Sequence, residues 1–573
     1  MTSTALDEEA QPATSLQAVA PGRVRAFAVC IGLGALSGVL LWASFPPLDI
    51  GPLAWVALVP FLIAVLSAPG RASAVFSGLA FGLAFWFPAV EWVTRSDPSA
   101  WLGWVVLAGY KAMYGPILAL LVRRIARRDR ASLVLAVPAV WVAIEFVRAY
   151  VLTGLPWFYL AHSQYQFLPW AQISDLAGAY ALSFVMASFA TGLALAMMRF
   201  WDGARSFASL ARPLLVPSVL MALTLVYGYA RMATAEFRPG PALGLLQSNI
   251  EQRLRNDTDP NDILDIYQRL MEKAIQNGAE VLIWPETSFP YAYTKVQPGT
   301  SEARLAEIAR QVDPELTPDE LRRRERVIKD SFRDMVAWAR VPVLVGVSVI
   351  EFRPDGRWKY NSALLLQPGT TAEQRYDKLH LVPFGEYVPL LATFPWLTRL
   401  TPYHGELTPS LTPGRTPAWF RIGDLKLATA ICFESTIPHV VRRAFREVGD
   451  GHPPDVLLNL SNDGWFRGSA ELDNSLAISV FRAVEHRVPL ARAVNTGISA
   501  LIDGNGRIVA RLPKLANDVI VARVPLDDRE GLYAVVGDWL PWCCLIATVL
   551  MLFPSFPLLS KSPITSGLPA PPG

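Results

Sequence analysis

A carboxylate, an amine and a thiol each stand at the edge of an apolar run in the second half of this chain. Glu286 ends Val-Leu-Ile-Trp-Pro-Glu (281–286), and Lys378 opens Lys-Leu-His-Leu-Val-Pro-Phe-Gly-Glu (378–386) 92 residues later. Cys432 follows after another 54 residues, inside Ala-Ile-Cys-Phe-Glu (430–434). A base, a cation and a thiol are the parts that thiol-based acyl chemistry needs. Glu286 can take the thiol proton and return it to a leaving group, provided burial raises its pKa toward working pH. Lys378 can stabilise an oxyanion and keep Glu286 oriented. Cys432 closes a predicted strand just ahead of a helix-like segment. A helix N-terminus beside the thiol is expected to depress its pKa.

Other residues near these strand ends widen the choice of roles. Glu386 and Glu434 can support Lys378 or serve a second proton transfer. His380 lies two residues from Lys378, and on a strand the two would share a face. It is an alternative base, although a structural hydrogen-bonding role is the simpler reading. The six histidines are scattered and no Cys/His spacing resembles a zinc site, so neither a metal nor a cofactor is expected. Of the four cysteines, Cys432 alone falls in the polar part of the chain and has no disulfide partner there. A lone cysteine is by default a small buried hydrophobe; Ile431 and Glu434 beside it favour reactivity.

The elements that must position these groups are of two kinds. The 573 residues are 52% hydrophobic and only 18% charged, with a mean hydropathy of +0.30, too apolar for an ordinary soluble protein. A net charge of +3 gives no reason to expect nucleic acid. Eight stretches suit membrane spans: 26–45, 52–68, 74–94, 101–122, 131–151, 176–198, 213–231 and 535–558. Arginines gather in alternate loops, at Arg23 and Arg25, Arg71, Arg123 to Arg130, and Arg199 to Arg212, with Lys561 after the last stretch. The positive-inside rule then places both termini in the cytoplasm. The expected organisation is a tail over 1–25, seven helices over 26–231, an external domain over 232–534, an eighth helix over 535–558 and a tail over 559–573.

The external domain alternates strand-like and helix-like runs. Leu243–Ile250, Val281–Trp284, Val341–Ile350, Ser362–Leu366, Leu425–Cys432 and Val456–Leu460 read as strands. Asp262–Gln276 and Thr436–Val448 read as helices, and Asp503-Gly504-Asn505-Gly506 reads as a hairpin turn between Ile498–Ile502 and Arg507–Ala510. A layered α/β domain is implied. The charge-dense segment 301–330 reads as solvated helix or insertion.

The three blocks resemble the signatures of the carbon–nitrogen hydrolase (nitrilase) superfamily, which implies an α-β-β-α sandwich and a Glu-Lys-Cys triad. With seven spans before that domain and one after it, the chain is similar to the apolipoprotein N-acyltransferase family. Glu145-Phe-Val-Arg148, Leu152-Thr-Gly-Leu-Pro-Trp157, Gln247-Ser-Asn-Ile250, Tyr360-Asn361-Ser362, Ser461-Asn-Asp-Gly-Trp-Phe466 and Asn495-Thr-Gly497 support the likeness. The resemblance implies acyl transfer from a phospholipid through a Cys432 thioester to the α-amino group of a diacylglyceryl-cysteine. It casts Glu286 as base, Lys378 as oxyanion partner and Cys432 as nucleophile, with Glu386, Glu434 and Asn361 in support. A monomer in the bacterial inner membrane is expected, with its catalytic domain in the periplasm and phospholipid and lipoprotein as partners. Asn256, Phe433, and Asn474-Ser475 depart from the family's usual residues.

Two apolar stretches outside the spans, one containing Trp157 and the other Tyr387, Trp396 and Leu397, are expected to flank a lipid portal at the bilayer surface. Ordinary packing between domain and helices is the competing reading. Two rival functions share the same residues: a membrane-tethered amidase that passes its acyl group to water, and a non-catalytic scaffold. The intact trio argues against the scaffold, and the apolar frame favours lipid substrates over soluble ones.

Overall fold

The computed structural model describes residues 21–98, 100–129, 132–251, 258–370, 372–388, 393–394, 396, 411–446 and 453–553. Helix occupies most of the described part of each of the eight apolar stretches. Five helical segments are long and apolar enough to cross a bilayer: Gly22–Ala43, Arg71–Arg95, Ala100–Ala126, Ala179–Trp201 and Phe207–Ala233. Gly51–Ser67, Leu133–Arg148 and Trp539–Leu552 are shorter than the ~20 residues a straight span needs. The helices approach closely through small residues. A Cβ on Gly78 would sit 2.5 Å from the Gly115 carbonyl oxygen, so only glycine allows these two backbones to touch there.

The segment between Leu133–Arg148 and Ala179–Trp201 folds over one end of this bundle and meets the polar domain. Trp157 packs on Trp92 at 5.1 Å between ring centroids, and Trp92 meets Phe466 edge-on at 4.9 Å. Asp175, almost fully buried, accepts hydrogen bonds from Tyr227 (2.7 Å), Arg231 (2.9 Å) and Arg487 (2.8 Å). Glu485 caps the Ala179 N–H at 2.9 Å. Arg487 and Glu485 belong to the polar domain, so charged groups buried on both sides fasten it to the bundle.

The polar domain is a two-sheet sandwich. Its strands are β1 (Phe237–Gln247), β2 (Val281–Ile283), β3 (Tyr293–Val296), β4 (Val343–Arg353), β5 (Gly356–Leu366), β6 (Gln374–Asp377), β7 (Trp419–Ile422), β8 (Leu425–Ile431), β9 (Val456–Ser461), β10 (Leu490–Val494), β11 (Ala500–Ile502), β12 (Ile508–Arg511) and β13 (Asp518–Asp527). One sheet runs β13-β1-β2-β4-β5-β6, with β3 also paired to β4; the other runs β12-β11-β10-β9-β8-β7. Alternation decides which side chains face inward. Val456, Leu458 and Leu460 meet Leu243, Leu245 and Leu344 between the sheets, whereas Leu457 faces outward. Helices Pro260–Gln276 and Pro318–Ala339 cover the first sheet, and Pro438–Arg446 and Glu471–His486 cover the second. The result is α-β-β-α, as the resemblance implied.

The predicted strands and helices all appear, with small shifts of boundary. The charged region divides into helices Glu302–Val312 and Pro318–Ala339, whose ion pairs Arg323–Glu320 and Lys329–Glu325 lie at the surface.

Candidate active site

Parallel strands end together on one side of the sandwich, the usual place for a site in such sheets. β1, β2 and β4 are mutually parallel in one sheet, as are β8, β9 and β10 in the other. Glu286 lies just past β2, Cys432 directly follows β8 and Asn462 directly follows β9, while Lys378 follows β6. Trp284 anchors the first of these turns by stacking on Tyr267 at 4.1 Å. Gly346 on β4 makes room for it, because a Cβ there would lie 2.0 Å from the Pro285 carbonyl oxygen.

Glu286 and Lys378 meet in a buried polar cluster. The Lys378 ammonium donates to Glu286 Oε1 at 3.2 Å and to Glu386 Oε1 at 2.7 Å. Asn361 Nδ2 donates to the same two oxygens, at 2.7 and 3.3 Å. The free oxygen of Glu286 is held by the Asn462 N–H at 2.9 Å, and Glu386 Oε2 by the Val382 N–H at 2.8 Å. Lys378 is also pinned by its backbone, which donates to the Asn361 carbonyl at 2.9 Å.

Cys432 takes a left-handed backbone conformation, φ +54°, an unusual one for a residue with a side chain. It begins a single 3₁₀ turn, Cys432–Thr436. Asn459 Nδ2 bonds the carbonyls of Ala430 (3.2 Å) and Cys432 (3.4 Å), bracing that turn from below. Asn459 is in turn held by Arg492 (2.7 Å), which also bonds Asp463 at 2.7 Å.

Burial pushes the Glu286 carboxyl up, Lys378 pulls it down and Glu386 raises it again, leaving it above the ordinary carboxylate range. That suits a general base. Burial alone would lower the Lys378 ammonium, but Glu286 and Glu386 overcome it and hold the lysine charged. The thiol departs from expectation. Burial and then the Glu286 charge push Cys432 well above the usual thiol range, against Lys378. A five-residue 3₁₀ turn supplies little helix dipole to set against these effects, which favour the protonated thiol.

Glu434 occupies a different place from the proton-transfer role considered for it. One oxygen accepts from the N–H groups of Leu379 (2.6 Å) and His380 (2.9 Å); the other accepts from the Ile431 N–H (2.7 Å) and the Tyr376 hydroxyl (2.9 Å). Burial lifts it to about 7, and the Ile431 and His380 N–H groups oppose that rise. Glu434 thus ties the Lys378 loop to the strand that carries Cys432. β6 ends at Asp377, so Lys378 and His380 do not share a strand face as expected; the His380 ring lies 6.0 Å from Phe433.

Of the portal residues, Trp157 is buried under Trp92, Tyr387 is half-buried and Trp396 is 57% exposed. Leu397 and Asn256 lie outside the described residues. Phe433 packs against the bundle's core, Asn474 donates to the Ala470 carbonyl at 2.8 Å and Ser475 is buried. Asn459 and Arg492 were not singled out from sequence. Their signal was a polar residue interrupting an apolar run, as in Val-Leu-Leu-Asn-Leu (456–460).

Among the described residues, no cluster of three or more His, Cys, Asp or Glu side chains could hold a metal ion. The carbon-nitrogen hydrolase family model matches residues 243–533, so the sandwich is a carbon–nitrogen hydrolase domain. The apolipoprotein N-acyltransferase N-terminal domain matches residues 37–192. An apolipoprotein N-acyltransferase of Geobacter metallireducens is 34% identical over 91% of this chain and 94% of its own length. One of Rhodopirellula baltica is 29% identical over 87% and 92%. An amidase from Nesterenkonia sp. of known structure is 18% identical, with a TM-score of 0.33 over 52% of this chain and 95% of its own. The chain belongs to the apolipoprotein N-acyltransferase family: it is a membrane protein and an acyltransferase.

Proposed function

We propose that this chain moves a fatty acyl group from a phospholipid to the α-amino group of a lipoprotein's N-terminal diacylglyceryl-cysteine. The observation that carries the proposal is the bonding of buried Glu286, Lys378 and Asn361 with half-buried Glu386 in one cluster whose charges act on Cys432. Glu286 takes the thiol proton as sulfur attacks the ester carbonyl. Lys378 stabilises the oxyanion, and the departing lysophospholipid oxygen takes the proton back. The acceptor amine then attacks the thioester, and its proton passes through Glu286 to the Cys432 sulfur.

Phe433 and Phe466 against the bundle's core support a lipid source, because the nucleophile's turn sits on the helices. The loop arginines support eight crossings with both termini cytoplasmic and the 232–534 domain in the periplasm of a Gram-negative cell. The three shorter helices would cross with help from flanking turns. One chain supplies every group of the cluster, which suits a monomer. Exposed Phe394 and Trp396 and half-buried Tyr387 support a lipid portal beside Glu386. Replacing Trp396 by Ser is then expected to raise KM for phospholipid.

Incubation of the protein with labelled phospholipid tests the reading. Intact mass should show one acyl chain on Cys432 that hydroxylamine removes, absent in Cys432→Ser, and the label should pass to a lipopeptide amine. Label found only as free fatty acid would identify a hydrolase instead.

A further inference from the structure

The membrane bundle carries an apolar groove of about 800 Å³ where the helix Ala179–Trp201 turns back into Leu215–Ala233. Met197, Phe200, Trp201, Phe207, Leu210 and Leu214 are among its walls, and its volume is that of a cavity holding a lipid- or drug-sized ligand. Phe207 and Trp201 are 86% and 60% exposed, so the groove opens outward.

Three arginines stand next to its wall residues. Arg205 lies over the Phe200 ring at 4.5 Å and bonds the Phe200 carbonyl at 2.7 Å; Arg199 bonds the Ser209 carbonyl at 2.9 Å; Arg212 follows Ala211 in the groove wall. None of the three forms an ion pair among the described residues, and each guanidinium has five donors, more than these carbonyls use. Other arginines, at the end of Ala100–Ala126 and on the loop after it, behave differently. Arg124 and Arg128 are spent on the carbonyls of Leu552, Met551 and Phe553 at the end of Trp539–Leu552.

The groove is remote from the reacting groups. Leu215–Ala233 has 19 residues, about 28 Å, and its far end enters β1. Ala179, at the other end of the second wall helix, is the residue capped by Glu485 of the catalytic domain. Both helices therefore meet the catalytic domain at one end and form the groove at the other. A phospholipid held here cannot reach Cys432.

We propose that this groove is a resident-lipid site for an anionic phospholipid, distinct from the acyl donor. An acyl chain fills the apolar walls, and the phosphate-bearing headgroup lies on Arg199, Arg205 and Arg212. Basic pockets between membrane helices select anionic headgroups, and each arginine engaged is worth roughly fivefold in binding. The site does not depend on the triad's chemistry.

Native mass spectrometry of the detergent-purified full chain tests it, with chain-matched phosphatidylglycerol and phosphatidylcholine in competition. Wild type should retain phosphatidylglycerol at least about tenfold better, and Arg199→Gln, Arg205→Gln and Arg212→Gln together should bring the two lipids within about twofold. Arg205→Lys with Arg212→Lys, which keeps the charge, should keep the preference. Ala211→Trp, which fills the groove, should lose the bound lipid while acyl transfer from phospholipid stays within about twofold. Equal retention of the two lipids by wild type, or an unchanged preference in the glutamine variant, would overturn the assignment. A matching loss of acyl transfer in Ala211→Trp would overturn it too, by making the groove the donor's site.

Discussion

Glu434→Gln changes one oxygen to an amide nitrogen and tests how the nucleophile is held. Four donors converge on this carboxylate: Leu379 and His380 N–H on one oxygen, Ile431 N–H and the Tyr376 hydroxyl on the other. Glutamine can keep only one pair. With its oxygen toward the Leu379–His380 loop, its NH₂ faces the Ile431 N–H and Tyr376. The tyrosine hydroxyl can rotate to accept, but the Ile431 N–H cannot, and one orphaned buried donor costs about 1–3 kcal/mol. The reverse orientation orphans two N–H groups and costs about twice as much, so the first should prevail. Ile431 directly precedes the left-handed Cys432, so moving its N–H toward a new partner displaces the sulfur. A displacement on the order of 1 Å costs about a hundredfold in rate. Acylation of Cys432 by phospholipid, followed by intact mass under single-turnover conditions, should therefore slow about a hundredfold with little change in KM. The variant's Tm should fall as well. A Glu434→Gln protein with the parent's acylation rate and Tm would refute the reasoning.

The pH profile of Cys432 acylation carries a second expectation. Burial and the Glu386 charge hold Glu286 above the ordinary carboxylate range, so the rate should fall on acidification at a higher pH than an ordinary carboxylate would give. Glu386→Gln removes the like charge and should move that limb to lower pH; an unmoved limb would exclude Glu286 as the titrating base. Gly346→Ala forces a Cβ to 2.0 Å from the Pro285 carbonyl and should cost about a hundredfold in kcat through displacement of Glu286. Alkylation of Cys432 by a small reagent at high pH should be unaffected. Asp175→Asn leaves Arg487 buried without its counter-charge and should destabilise the protein by about 3–5 kcal/mol, read as a lowered denaturation midpoint in detergent.

Where side-chain pattern alone decides an element, the sequence was readable. Val456–Leu460 and Leu243–Ile250 are apolar enough to be strands, Asn277-Gly278 marks a helix end, and the described parts of the eight apolar stretches are mostly helical. β10 was missed because Arg492 breaks its apolar run, and that arginine is the residue that braces Asn459 and Asp463. β13 pairs with β1 from the far end of the domain, a long-range partnership that no local period announces. Glu286, Lys378 and Cys432 could be named from their motifs, but the cluster's wiring could not. The Asn462 N–H on Glu286 and three of the four donors on Glu434 are backbone geometry, set by how strands end. The thiol's electrostatics were misjudged for a related reason: the expected helix starts only at Pro438, with a 3₁₀ turn between it and Cys432, and burial and then the Glu286 charge outweigh it.

The clasp at Asp175 has a practical corollary for anyone tempted to cut the enzyme into a water-soluble half. Freed of its helices, the sandwich would keep Arg487 and Glu485 but lose the anion and the peptide N–H that complete them. Its underside would also bare Phe433 and Phe466, inviting clumping. The catalytic half is moored, and useful preparations will need a detergent, nanodisc or bilayer around the whole chain.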